Sequence, residues 1–185
     1  MVRKIVIYGH PVLRQKGARI DAVTPEIEAL AQDMIETMIA AEGVGLAAQQ
    51  VGEALQIAVV DVSGAAEPGT YLRVNGIERK LEEIMPLVFL NPVVVPDGPR
   101  ESETEGCLSF PDIRAEISRP GAVRATVSTL AGETLVIETD GLFARAIQHE
   151  VDHLNGILFI DRMSAARKVA LRKTLKWLQR EGGGA

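Results

Sequence analysis

A chain of 185 residues is the length of one domain and long enough to bury a sizeable core. Hydrophobic residues at 46% and charged residues at 24% exclude a disordered or fibrous chain, and a single cysteine excludes an internal disulfide. No run approaches the roughly 20 apolar residues of a membrane helix, and a net charge of −5 argues against wholesale nucleic-acid binding while leaving room for a local basic patch.

The opening residues lack both the long apolar segment of a secretory signal and the Arg/Ser-rich pattern of a transit peptide, so a cytoplasmic protein with no membrane association is expected. His10 reads as a turn residue beside Pro11. Ile27, Leu30, Ala31, Met34, Ile35, Met38 and Ile39 recur at helical spacing, with Thr24 as cap, Pro25 in the first turn and Gly43 as terminator. Directly after comes Gly43-Val44-Gly45-Leu46-Ala47-Ala48-Gln49-Gln50. Its small residues let backbone approach a bulky neighbour and Gln50 offers an amide donor, although a helix end plus a tight loop explains it equally well.

Residues 55–62, 87–95, 122–129 and 133–139 are rich in β-branched side chains and predict strands, the last two joined by a turn at 130–133. The polar stretch 63–85 predicts a surface loop or a short extra hairpin. Residues 140–155 are helical in pattern, capped by Thr139 or Asp140 and stopped by Gly156, with an apolar arc wide enough for a helix covered on most sides. A last helix is predicted over 164–181, followed by a flexible tail at 182–185. Strands and helices without regular βαβ alternation predict an α+β fold with antiparallel sheet.

Two of the three histidines fall in His149-Glu150-Val151-Asp152-His153. On a helix their imidazoles share a face and can reach one metal ion, with Glu150 beside them as general base. The ordinary zinc-protease continuation fails, because Phe159 stands where a third histidine belongs, and the remaining downstream glutamate, Glu181, ends a polar helix. Cys107, in Glu105-Gly106-Cys107-Leu108-Ser109, is the alternative third ligand. A lone cysteine is more often a small buried residue, but beside two histidines it would complete a three-ligand site with an open position for water or substrate. A metallopeptidase with another third ligand, and a binding protein with a closed structural metal site, are the competing readings.

Together the motifs G-x-G-x-A-A-x-Q at 43–50, E-G-C-x-S at 105–109 and H-E-x-x-H at 149–153 resemble those of the peptide deformylases, in the same order and with similar separation. The resemblance extends from Pro11-Val12-Leu13-Arg14 to the end, and departs from the family where Gly9-His10-Pro11 replaces the frequent P-D-P. It implies antiparallel sheets packed around a central helix bearing H-E-x-x-H, with a C-terminal helix, in one catalytic domain spanning 1–181. It implies a hydrolase that removes the N-formyl group from the formylmethionine of newly made proteins, releasing formate.

By the same resemblance, Cys107, His149 and His153 bind one divalent metal ion, Glu150 is the acid/base, and Gln50 with the Leu108 N–H holds the oxyanion. Gly45 would line the strand edge that binds peptide, and Arg114 would contact the peptide backbone or its carboxylate end. The methionine pocket would be formed near Val44, Leu108, Leu142, Arg145 and Ala146, with the Arg145 stem along its wall and the guanidinium reaching water. Glu105 and Arg119 would form a structural ion pair. Family usage implies Fe(2+) natively, with Zn(2+), Ni(2+) or Co(2+) in preparations, whereas Cys and two His alone suit zinc on general grounds.

The last helix carries Arg167, Lys168, Arg172, Lys173, Lys176 and Arg180 against Glu181 alone, so it holds +5 and leaves −10 on the rest of a chain totalling −5. A solvated face explains this pattern, as does contact with ribosomal RNA.

Overall fold

The β-branched runs read from the sequence become the middle of a seven-stranded antiparallel sheet. In the computed structural model, which describes residues 1–66 and 69–183, the strands are β1 (Gly45–Ala47), β2 (Ile57–Val60), β3 (Leu72–Val74), β4 (Ile77–Glu78), β5 (Leu87–Cys107), β6 (Phe110–Ser128) and β7 (Thr134–Asp140). Their spatial order is β1-β2-β5-β6-β7-β3-β4. The helices are α1 (Pro25–Ala40), α2 (Gly141–Leu154), α3 (Phe159–Arg162), α4 (Ala165–Ala170) and α5 (Arg172–Gly183). The fold is α+β with antiparallel sheet, as expected. Among the described residues no helix is long and apolar enough to cross a membrane.

β5 and β6 form one long hairpin, and the expected strands 87–95 and 122–129 are only its paired outer ends. The stretch between contains Pro96, Gly98, Pro99, Pro111, Pro120 and Gly121, which read as turn residues; a register shift between Asp97 and Arg100 absorbs Gly98 and Pro99 without breaking the ladder. Within it Ile113, Ala115, Ile117 and Arg119 are buried at alternate positions, the half-buried strand pattern. Of the two readings for 63–85, the short hairpin is present: β3 and β4 extend the sheet beyond β7, while residues 67 and 68 lie outside the described set.

α2 is covered on most sides. Phe143, Ala144, Ala146, Ile147 and Leu154 are each at most 6% exposed, packed with Phe89, Val123 and Ile137 of the sheet. Complete burial of a side chain such as Phe143 contributes about 1.5–3 kcal/mol. α1 lays Met34 and Met38 on Ile57 and Val59 of β2. Phe110 and Ile117 of the hairpin meet Phe159 and Leu178 in a third cluster.

Several local expectations shift. Thr24 and Asp140 occupy N-cap positions without a side-chain cap bond; Asp140 instead accepts the Tyr71 N–H at 2.9 Å, which ties β3 to the start of α2. α1 ends at Ala40, and the left-handed backbone falls on Glu42 (φ 53°) instead of Gly43. The single helix expected over 164–181 is broken at Leu171 into α4 and α5. Gly182 and Gly183 belong to α5 instead of starting a tail, because Gly182 lies so close to the backbone of residues 7 and 8 that an added Cβ would sit 2.3 Å from the Tyr8 carbonyl oxygen. Residues 184 and 185 of the expected tail lie outside the described set.

Candidate metal centre and cleft

His149 and His153 are one turn apart on α2, and Cys107 is the last residue of β5, so the three come together only where the hairpin crosses the helix. Cys107 Sγ lies 3.2 Å from His153 Nε2. One ligand atom from each of Cys107, His149 and His153 lies within 4.8 Å of the other two. A thiolate and two imidazoles can hold a borderline divalent ion such as zinc or ferrous iron, and three ligands leave one tetrahedral position open.

Behind the histidines is a buried charge network. His149 Nδ1 is 3.0 Å from Glu105 Oε2, which leaves its other ring nitrogen for an ion. Glu105 also accepts two bonds from Arg119, at 2.6 and 3.1 Å, and one from Arg145 at 2.7 Å. Arg119 reaches on to Asp152 at 2.7 Å, where Arg162 closes the chain at 3.0 Å. Burial pushes the Glu105 carboxyl up, but hydrogen bonds from His149 and Arg119 outweigh it and bring its pKa to about 2. For His149, burial lowers the pKa while Cys107 and Glu105 raise it further, to a value well above the ordinary one. Burial, reinforced by the charges of His149 and Arg119, holds His153 well below its ordinary value.

Glu150 is 4% exposed, and burial raises its pKa to about 7. Its Oε2 has no hydrogen-bond partner among the described residues. The carboxyl lies against β1 at Gly45, where an added Cβ would stand 2.3 Å from Oε1. Gln50, in the turn after β1, accepts the Ala47 N–H through Oε1 at 2.8 Å; this turns its amide nitrogen toward Cys107 Sγ, 3.6 Å away.

These groups open onto a cleft of about 600 Å³. Gly45 of β1 with its flanking residues Val44 and Gln50, and Cys107 at the end of β5 with Leu108 after it, line one side, and Leu142, Arg145, Ala146, His149 and Glu150 line it from α2. Arg114 lines the rim with its side chain exposed. His153 sits behind, 1% exposed. Ala65, from the 63–85 segment, also lines the cleft. The structure thus brings together every residue singled out for the site.

Other placements correct the sequence reading. The Arg145 guanidinium does not reach water: Arg145 is 8% exposed and donates to Glu105 and to the Ile117 and Glu101 carbonyls. The buried Glu105 carboxylate needs cationic partners, and a residue 40 positions away supplies one. The Glu105–Arg119 pair is present but belongs to a longer network whose outer members, Asp152 and Arg162, were missed. Neither carries a local signal in the sequence, because the fold brings Arg119 to Asp152 from 33 residues away. Phe159, at the position a protease would give its third histidine, is a core residue with its ring 6.1 Å from that of His149. His10 is a turn residue as read, its Nδ1 accepting the Val12 N–H at 3.3 Å.

Residues 2–169 match the family model described as polypeptide deformylase. The chain is 44% identical over 180 residues to the peptide deformylase of Methylacidiphilum infernorum, covering 97% of this chain and 94% of that protein. It is 44% identical over 182 residues to that of Opitutus terrae, covering 96% and 93% respectively. Among solved structures, the peptide deformylase from Thermus thermophilus superposes with a TM-score of 0.81 at 35% identity, covering 98% of this chain and 99% of that one. The Synechococcus elongatus peptide deformylase, solved in complex with actinonin, gives 0.77 at 35% identity, covering 92% and 86%.

Proposed function

The chain belongs to the polypeptide deformylase family and is a metal-dependent hydrolase that removes the N-formyl group from formylmethionyl peptides, and from that premise we propose how its own residues perform the reaction. Cys107, His149 and His153 hold one divalent ion, Fe(2+) in the cell and Zn(2+), Ni(2+) or Co(2+) in preparations. When bound, the ion supplies Lewis acidity and makes water ionisable near neutral pH. The convergence of these three ligand atoms, with Cys107 and His149 lining a cleft that Glu150 also lines and one Glu150 oxygen without a hydrogen-bond partner among the described residues, is the observation that supports this reading.

Glu150 accepts a proton from the attacking water and returns it to the leaving amine as the carbon–nitrogen bond breaks, leaving formate and a free methionine N-terminus. Burial, which favours the protonated carboxyl, suits Glu150 to hold that proton between the two steps. The Gln50 amide and the Leu108 N–H donate to the oxygen that gains charge; one such donor is typically worth about 2.7–4 kcal/mol. The methionine side chain fills the pocket between Val44, Leu108, Leu142, the Arg145 stem and Ala146. The peptide backbone pairs along the open edge of β1 at Gly45, since β2 occupies the other edge. Arg114 meets the peptide farther along. The enzyme works in the cytoplasm as one catalytic domain over 1–181, and its basic final helices contact ribosomal RNA.

Replacing Glu150 with alanine tests the reading. Formate release from a formyl-Met peptide is expected to fall by at least three orders of magnitude, on the order of the loss when an essential catalytic group is removed, with the metal retained. Formate release unchanged in that variant overturns the assignment, as would cleavage of internal peptide bonds by the wild type.

A further inference from the structure

Arg145 borders the cleft, yet its charge is spent on the far side of it. Its Nη1 donates to Glu105 Oε1 at 2.7 Å and to the Ile117 carbonyl at 3.0 Å, and Nη2 donates to the Glu101 carbonyl at 3.0 Å. Glu101 is on β5 and Ile117 on β6, so one guanidinium on α2 ties the helix to both strands of the hairpin. That hairpin carries Cys107, while α2 carries the two histidines.

The Glu105 carboxylate is correspondingly filled. Oε1 takes Arg119 Nε at 2.6 Å and Arg145; Oε2 takes Arg119 Nη2 at 3.1 Å and His149 Nδ1 at 3.0 Å. With Arg145 removed, Oε1 loses one of its two donors and, among the described residues, only the two-point contact with Arg119 still anchors the carboxylate that meets His149 Nδ1, so the orientation of the His149 ring is less tightly fixed. We propose that Arg145 is a positioning residue of the metal centre: through Glu105 it orients His149, and through the two strand carbonyls it fixes the spacing between the histidines and Cys107. Its stem borders the methionine pocket, but its principal effect is on the ion. This inference rests on the ligand assignment proposed above.

The test uses the metal-loaded enzyme with Arg145→Leu, Arg145→Lys and Cys107→Ser. Three quantities are read: the rate of ion loss to excess chelator, kcat and KM for a formyl-Met peptide, and folding by circular dichroism. Partners that orient a metal ligand are typically worth 10–100-fold in metal affinity, so Arg145→Leu is expected to lose the ion about 10–100-fold faster, with kcat lowered and KM within about twofold. Arg145→Lys keeps the charge but reaches fewer acceptors, and should fall between the two. Unchanged ion loss with a raised KM overturns the proposal, because Arg145 is then a pocket contact. Unchanged ion loss with only a lower melting temperature overturns it too, because the role is then structural. If the leucine variant does not fold, ion loss from the lysine variant at the wild-type rate has the same force. Cys107→Ser separates the two readings: an ion held as before in that variant overturns the ligand assignment and this inference with it. An ion lost from Cys107→Ser but retained by both Arg145 variants overturns this inference alone.

Discussion

At Gly45 there is no room for a methyl group, because the space beside its Cα belongs to the Glu150 carboxyl. Gly45→Ala should therefore leave the fold intact while displacing the proposed acid/base, Glu150. A misplacement of about 1 Å costs on the order of 100-fold, and steady-state formate release should fall by about that factor; wild-type turnover would contradict this account of Gly45. The three proposed metal ligands stand out in the sequence because cysteine and histidine are scarce in this chain and the histidines are spaced by one helical turn. Asp152, inside the same motif, was not: its partner Arg119 is 33 residues away, and nothing local shows that a charge there is buried and paired. The buried guanidinium of Arg145 is hidden from the sequence for the same reason, its partner Glu105 being placed by hairpin register instead of local pattern. Asp152→Asn keeps the shape but removes the charge between Arg119 and Arg162. Breaking a buried pair typically costs about 3–5 kcal/mol, and chemical denaturation should register a loss of that order.

The elements divide between those with a strong local period and those without. α1 and α2 carry a helical period, the outer ends of the long hairpin are rich in β-branched residues, and all of them form close to where they are expected. The hairpin centre is less legible, since exposed residues of β5 leave no apolar alternation opposite Ile113, Ala115 and Ile117 of β6, and Gly98 and Pro99 sit at a register shift that only the pairing reveals. The join between α3 and the N-terminal turn yields a pH prediction. Burial pushes the Asp161 carboxyl up, while Arg14 and the Leu158 N–H pull it below its ordinary value. A carboxyl lowered by folding stabilises the protein above the ordinary carboxylate pKa of about 4, and that contribution disappears as pH falls through the depressed value. Asp161→Asn should thus melt below wild type at pH 7, with the gap closing on acidification below about pH 4; a gap independent of pH contradicts the pairing. α5 is anchored by Leu178, 3% exposed. Leu178→Ala should cost about 2–5 kcal/mol in denaturant unfolding.

For the molecule as a whole, a net charge of −5 hides a basic final stretch carrying +5 on a body carrying −10. Those cations are exposed on α4 and α5 and none of them lines the cleft, although Arg167 donates to the Arg114 carbonyl at its rim at 2.7 Å. Charge reversal of Lys173, Lys176 and Arg180 should weaken ribosome cosedimentation at low salt and leave turnover of a short formyl-Met peptide unchanged; undiminished cosedimentation excludes RNA contact through this surface. At the cleft, one helix and one hairpin deliver every proposed ligand. The most direct measurement is formate release from metal-stripped protein titrated with Fe(2+) under anaerobic conditions. Activity should be negligible at the start and rise to a plateau at one ion per chain, and the Cys107→Ala protein should show no such rise. Full activity in the stripped enzyme, or the same titration in the Cys107 variant, would contradict a metal centre built on Cys107, His149 and His153.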